Sequence, residues 1–222
     1  MDLPATLPEK LYLLAYDPRR RRTTQHSSLN LLLQAAALTE LLRRGLLAEE
    51  GRKAVARVRG KDLEVGLDPC SARLLGQIRA ARPASWNAWV GRARSTGRDQ
   101  PIRRVRDGLV DSGRITVRPH RVAGLFPVTL VTPADPGGRE ALAASVAGAL
   151  KGPLSRVDPA DAALTALVAA GKLRSVLSAG ERREHQGRIA KLAPAAGPVP
   201  RALGTALAWR LAGHAAESAA LG

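Results

Sequence analysis

Residues 27–45 read SSLNLLLQAAALTELLRRG, and this stretch decides the fold. Ser27 or Ser28 supplies an N-cap hydroxyl, Leu29 to Arg44 carries strong helix formers without a break, and Gly45 stands where a helix C-terminus needs a left-handed residue. Leucine and alanine occupy nearly every face of this helix, so it has no solvent side and must be wrapped by others. The expected architecture is therefore mainly α: a single-domain helical bundle over residues 1–222 around a central buried helix, with one or two β-hairpins. Asn30 and Gln34 lie one turn apart on the otherwise apolar rod. Two readings stand for them: satisfying buried backbone groups, or facing a polar pocket.

The wrapping helices can be read outward from that centre. Leu11 to Ala15 gives a short helical piece before Asp17-Pro18. Asp68-Pro69 is an N-cap followed by an N1 proline and starts a helix to about Ala81, which Pro83 ends. Ser85 to Arg94 follows, with Trp86 and Trp89 one turn apart and read as core. Pro101 opens a helix on which Ile102, Val105 and Leu109 form one apolar stripe. The last third is predicted to be helical over Arg139 to Leu150, Asp161 to Ala170, Gly180 to Leu192 and Pro200 to Leu221, with Gly/Pro loops between. Strands are expected at Ala54–Val58 and Leu63–Val65 around a Gly60-Lys61-Asp62 turn, and at Ile115–Arg118 and Leu125–Thr132.

The chain has 222 residues, 45% of them hydrophobic but only 3% aromatic, so the core must be built from Leu, Ala and Val. Its formal net charge of +16 predicts attraction to polyanions, either nucleic acid or an anionic membrane surface. The single cysteine, Cys70, excludes an internal disulfide and a multi-cysteine metal site. No signal peptide is expected from the first residues, and no window approaches the roughly 20 apolar residues of a spanning helix, so any membrane contact should be peripheral.

Charge concentrates in two places. Arg19 to Arg22 is a run with no apolar partner, read as a solvated or phosphate-attracting loop. On the helix that Pro101 opens, Arg103 and Arg106 lie on one flank of the apolar stripe and Arg104 points to the far side, so the pair makes an anion clamp. Beyond it, Leu125, Phe126, Pro127 and Val128 form an apolar hairpin tip, a contact surface if exposed and core if buried.

Catalytic signatures are missing. His26, His120, His185 and His214 are scattered, with no metal-ligand spacing, and there is no phosphate-binding Gly-Lys loop, dinucleotide fingerprint or nucleophile elbow. Cys70 is read as a small buried thiol rather than a nucleophile. No enzyme activity, cofactor or metal is expected.

The order of pieces is specific. Leu7-Pro-Glu-Lys-Leu-Tyr-Leu-Leu-Ala15, Ala37-Leu-Thr-Glu-Leu-Leu-Arg-Arg-Gly-Leu-Leu47, Ile102-Arg-Arg-Val-Arg106, Gly124-Leu-Phe-Pro-Val-Thr129 and the helices of Ala163 to Leu192 resemble the Golgi phosphoprotein 3 family in its bacterial branch. That resemblance implies a helical bundle around a buried helix, with a hydrophobic β-hairpin used for membrane contact or self-association. In eukaryotic members it further implies a peripheral membrane protein that reads phosphatidylinositol 4-phosphate and retains glycosyltransferases by their cytosolic tails. The family's headgroup pocket uses a tryptophan and an arginine near the start of the central helix and two arginines of a Leu-Arg-x-Val-Arg helix. The second pair falls on Arg103 and Arg106. The first pair falls on Gln25 and Gln34, so this chain departs from the pattern there, and altered specificity is expected.

The leading expectation is a cytoplasmic, peripherally membrane-associated protein that binds anionic phospholipid, a phosphoinositide among the candidates. Partners would be the bilayer surface, a second copy through the hairpin, and the tails of membrane enzymes. A basic helix followed by a β-hairpin also describes a winged-helix nucleic-acid reader. Against that, the candidate recognition helix is short and lacks Asn, Gln or Ser beside its arginines for reading bases.

Overall fold

The computed structural model describes residues 3–19, 22–23, 26–57, 64–94, 99–122 and 126–220. Two short elements precede the central helix: α1 (Leu7–Leu14) and the pair β1 (Tyr16–Asp17) and β2 (Arg22–Thr23), so Arg22, read as the end of a loop, is paired in a strand, while residues 20–21 lie outside the described residues. α2 (His26–Arg43) then runs through the centre, and every residue from Leu31 to Leu41 is buried. It stops as its sequence requires. Gly45 takes φ 69°, its N–H donates to the Leu42 carbonyl, and the Leu46 N–H donates to the Leu41 carbonyl, closing a Schellman motif.

A small sheet follows, built from β3 (Leu47–Glu50), β4 (Lys53–Ala56) and, after α3 (Pro69–Ala80), β5 (Ala84–Ser85). The β3–β4 turn falls at Gly51-Arg52, both with positive φ (53° and 60°), the geometry of a two-residue hairpin turn whose twist matches the strands. This corrects the predicted hairpin: Ala54–Val58 pairs backward onto Leu47–Glu50 through its first residues, and Val65 lies in a turn, 74% exposed. Gly60-Lys61-Asp62 lies outside the described residues.

α3 starts on Asp68, whose carboxylate accepts from the Cys70 and Ser71 N–H groups and the Ser71 hydroxyl. α4 (Trp86–Gly91) is capped by Ser85 and passes into a 3₁₀ turn over Arg92–Arg94. Trp86 and Trp89 are both core residues, as their spacing predicts. α5 (Pro101–Asp111) buries Val105 and Leu109 and packs on α1, α2 and α3. Its first free N–H, from Ile102, donates to Asn30 Oδ1 of α2 at 3.0 Å. Where α5 crosses α3 the helices need Gly108, because a Cβ there would lie 2.7 Å from Pro69 Cδ.

β6 (Ile115–Val122) and β7 (Phe126–Pro133) pair from Ile115↔Pro133 to Val122↔Phe126. Ile115 and Val131 at the base are buried, while Arg118, Pro119, His120 and Thr129 further out are exposed. The remaining helices are α6 (Gly138–Lys151), α7 (Pro159–Ala170), α8 (Ala179–Glu184), α9 (Gln186–Leu192) and α10 (Val199–Ala220). The predicted helix Gly180–Leu192 is thus two, divided at His185. Arg139 of α6 ties the C-terminal helices back by donating to the carbonyls of Tyr16 and Ser175. One apolar cluster extends from Leu7 to Leu207. The fold is a mainly α bundle around α2 with small antiparallel hairpins, as the leucine- and alanine-rich stretch predicts.

Candidate functional site

A polar cleft of about 500 Å³ lies between α3, α4 and the start of α5. Helical spacing on α3 aims Cys70, Arg73, Leu74 and Gln77 into it, α4 and its 3₁₀ turn supply Trp89 and Arg92, and α5 supplies Pro101 and Arg104. Gln34 closes it from α2. Its amide does both things its position allows: Nε2 donates to the Trp89 carbonyl at 3.2 Å while the side chain lines the cleft.

Asp99, just before α5, holds the arginines in place. One carboxylate oxygen accepts from Arg104 and the other from Arg73 at 3.2 Å, so a single anion bridges guanidiniums from two helices. Those two arginines hold the Asp99 carboxyl below the usual carboxylate range, the Arg104 hydrogen bond contributing most. Arg92 stacks over Trp89, its guanidinium carbon 3.8 Å from the ring centroid. Among the described residues Trp89 Nε1 and Arg104 Nε are buried without a hydrogen-bond partner, as are Thr39 Oγ1, Trp86 Nε1 and Arg182 Nη1. Burial pushes the Cys70 thiol well above the ordinary cysteine range, with Asp68 adding to the shift, so the thiol is protonated at neutral pH. Among the described residues no group of three or more His, Cys, Asp or Glu side chains could hold a metal ion.

The predicted headgroup residues are distributed differently. Gln34 lies in the cleft; Arg103 and Arg106 are not among its lining residues. Arg103 is exposed, and Arg106 is half-buried and bonded to its neighbour Asp107 through Nε and Nη2, at 2.9 and 2.7 Å. Arg106 faces α1, where its charge opposes the burial that pushes the Tyr12 hydroxyl up to about 12. The arginine of α5 that meets Gln34 at the cleft is Arg104, placed on the far side of the helix from the pair as its 100° spacing predicts. Gln25 and Leu125 lie outside the described residues. So do the side chains of Phe126, Pro127 and Val128, although their backbone is placed in β7 opposite Val122, Arg121 and His120.

Arg73, Arg92, Arg104 and Asp99 line the cleft and are not among the predicted site residues. Their convergence depends on the packing of α3, α4 and α5, which the spacing along any one of these helices does not show.

No curated protein matches the chain. Among the described residues no helix is long and apolar enough to cross a membrane. A family model described as Golgi phosphoprotein 3 (GPP34) matches residues 7–208, from the first residue of α1 into α10. With nearly the whole bundle matched, the chain belongs to the Golgi phosphoprotein 3 (GPP34) family.

Proposed function

We propose that this protein works at membrane surfaces, binding anionic phospholipid headgroups through the solvent flank of α5 while the β6–β7 hairpin meets the bilayer or a second copy. The observation that carries this reading is the arginine pair itself. Arg103, exposed, and Arg106, half-buried and bonded to Asp107, lie on one flank of a helix anchored to the core, next in sequence to a hairpin whose described outer residues are exposed. Guanidinium forks match phosphate oxygens bidentately, and each basic residue near an anionic leaflet contributes about 1 kcal/mol. A net charge of +16 supplies the longer-range attraction. Any apolar side chain the hairpin buries adds about 25 cal/mol per Å².

Phosphatidylinositol 4-phosphate is the first headgroup to test, because it is the lipid that the family resemblance implies for the arginine pair. Flotation with phosphatidylcholine vesicles, alone and with phosphatidylserine or phosphatidylinositol 4-phosphate, is the direct experiment. The expected outcome is recovery with anionic vesicles only, and loss of most of it in Arg103→Ala/Arg106→Ala. Equal recovery with neutral vesicles, or undiminished recovery of the double variant, would overturn the reading. Steeply salt-dependent, sequence-selective duplex binding would replace it with the winged-helix alternative.

A further inference from the structure

We infer that the end of α10, past Leu207, is an interfacial helix that lies along an anionic bilayer with Trp209 and Leu211 seated at the headgroup boundary. The inference rests on the membrane reading for the surface itself, but it assigns a contact outside both the arginine pair and the hairpin, and past the residues matched to the family.

Reversal of polarity along one helix is the first ground. In the first half of α10, Ala202, Leu203, Ala206 and Leu207 are buried against the bundle, and the opposite side carries Arg201, Gly204 and Thr205. Helical spacing continues the buried stripe of Leu203 and Leu207 through Arg210 to positions 214 and 217, which are His and Glu. The outer stripe of Arg201 and Thr205 continues through Ala208 and Ala212 to positions 215 and 219, both Ala. The inner side therefore turns polar and the outer side apolar. The described residues follow suit: Ala208 and Ala212 are exposed, with Trp209 at 70% and Leu211 at 62%. The other two tryptophans, Trp86 and Trp89, are core. Positions 208–220 amount to about 20 Å of helix. So short a helix is marginal alone in water, and a surface that takes up its apolar side stabilises it.

Charge and position select a bilayer as that surface. α10 starts at the C-terminal end of α2, where a Cβ on Gly197 would meet Leu42, and packs back along α2 and α4. Its free end thus points toward the end of the bundle where α2 begins. There the Ile102 N–H bonds to Asn30 and sets the start of α5, with exposed Arg103 one residue on. α1, which begins at Glu40, leads through exposed Arg19 to the same end. These cations attract an anionic leaflet and repel a second copy of a chain that carries +16. The α10 end is itself nearly neutral, with one Arg and one Glu, and supplies the apolar half of the binding. Stable anchoring takes two such signals, and indole rings favour the membrane–water boundary.

Tryptophan emission of the full chain tests this, because Trp209 is exposed while Trp86 and Trp89 are core. Vesicles of phosphatidylcholine and phosphatidylserine should shift the emission to the blue, and acyl-brominated phosphatidylcholine in them should quench it. Trp209→Phe should abolish both signals and keep flotation. Trp209→Ser/Leu211→Ser should lower partitioning about tenfold or more, with an unchanged denaturation midpoint because neither side chain is packed in the fold. Wild-type protein that floats with unaltered emission, or undiminished partitioning of the double serine variant, would overturn this inference and leave the membrane reading standing. Failure of the wild type to float on any anionic vesicle overturns both. A dimer seen by sedimentation without vesicles, blue-shifted in emission and lost in the double serine variant, would seat the helix on a second copy and overturn the bilayer assignment.

Discussion

The two flanks of α5 carry the same kind of side chain under opposite mechanical conditions. On the cleft flank, Arg104 is tied to Asp99, which is tied to Arg73 of α3, and the cleft is backed by Trp89 of the core. On the other flank, Arg103 makes no ion pair among the described residues, and Arg106 bonds to its own neighbour Asp107. The first arrangement is specified by tertiary structure and presents fixed donors, which suits a discrete small ligand. The second is local and adaptable, which suits a plane of moving headgroups. Equal charge on one helix thus does not mean equal constraint; what differs is how many other elements hold it.

That contrast breaks most visibly at Trp89. Trp89→Ala removes the side chain under Arg92 and the largest residue among the fully buried ones, so it should cost about 3–5 kcal/mol of stability by denaturant titration. Arg103→Ala, on the free flank, should stay within about 0.5 kcal/mol. Similar losses for the two would show that the flanks are not mechanically distinct.

Gly108→Ala probes the joint that sets the cleft's width. Helix propensity favours alanine by about 1 kcal/mol, but the added Cβ would meet the Pro69 ring at 2.7 and 2.9 Å, and that ring is fixed at the first turn of α3. Overpacking should win, giving a net loss of about 1–2 kcal/mol and a displaced Arg73 relative to Arg104. A stabilised variant would mean that α3 slides freely over α5, and the cleft would lose its claim to fixed geometry.

How much of this was legible follows the same division. Everything set by local sequence could be read: the burial of α2 from its all-round Leu and Ala, the stop at Gly45, the start at Asp68-Pro69, and the Val105/Leu109 stripe. The β3–β4 hairpin could not, because its turn puts Arg52 at φ 60°, where glycine or asparagine is expected, and so the glycine of residues 60–62 was the stronger signal. The solvent-flank arginines were found by spacing alone. The cleft was not, since Arg73, Arg92, Arg104 and Asp99 become neighbours only when α3 and α4 close on α5, and no periodicity in one helix encodes that. Gln34 was flagged with two readings open, and the structure gives it both.

The smallest effects come from two aspartates just ahead of the cleft helices, and they sharpen the contrast because their pH signs oppose. Asp68 caps α3 from within the core, so Asp68→Ala should cost about 1 kcal/mol or somewhat more. Desolvation raises its pKa above the usual 3.8 despite the Ser71 hydrogen bonds. Protonation is therefore easier in the folded state. The stability of the wild type relative to Asp68→Asn should be greatest below pH 3.8 and decline as pH rises through the folded pKa. Asp99 behaves the other way. Its pKa lies below 3.8 because Arg104 and Arg73 favour the charged form, so its advantage over Asp99→Asn is present above 3.8 and lost as pH falls through the folded pKa. Being solvent-exposed, that advantage should also shrink with added salt, whereas the Asp68 difference should resist it. Denaturation of both variants and the wild type between pH 2.5 and 7, at low and high ionic strength, gives the two slopes. Slopes of the same sign would mean that Asp99 is as sequestered as Asp68, and that the cleft arginines are held by a buried rather than a solvent-exposed carboxylate.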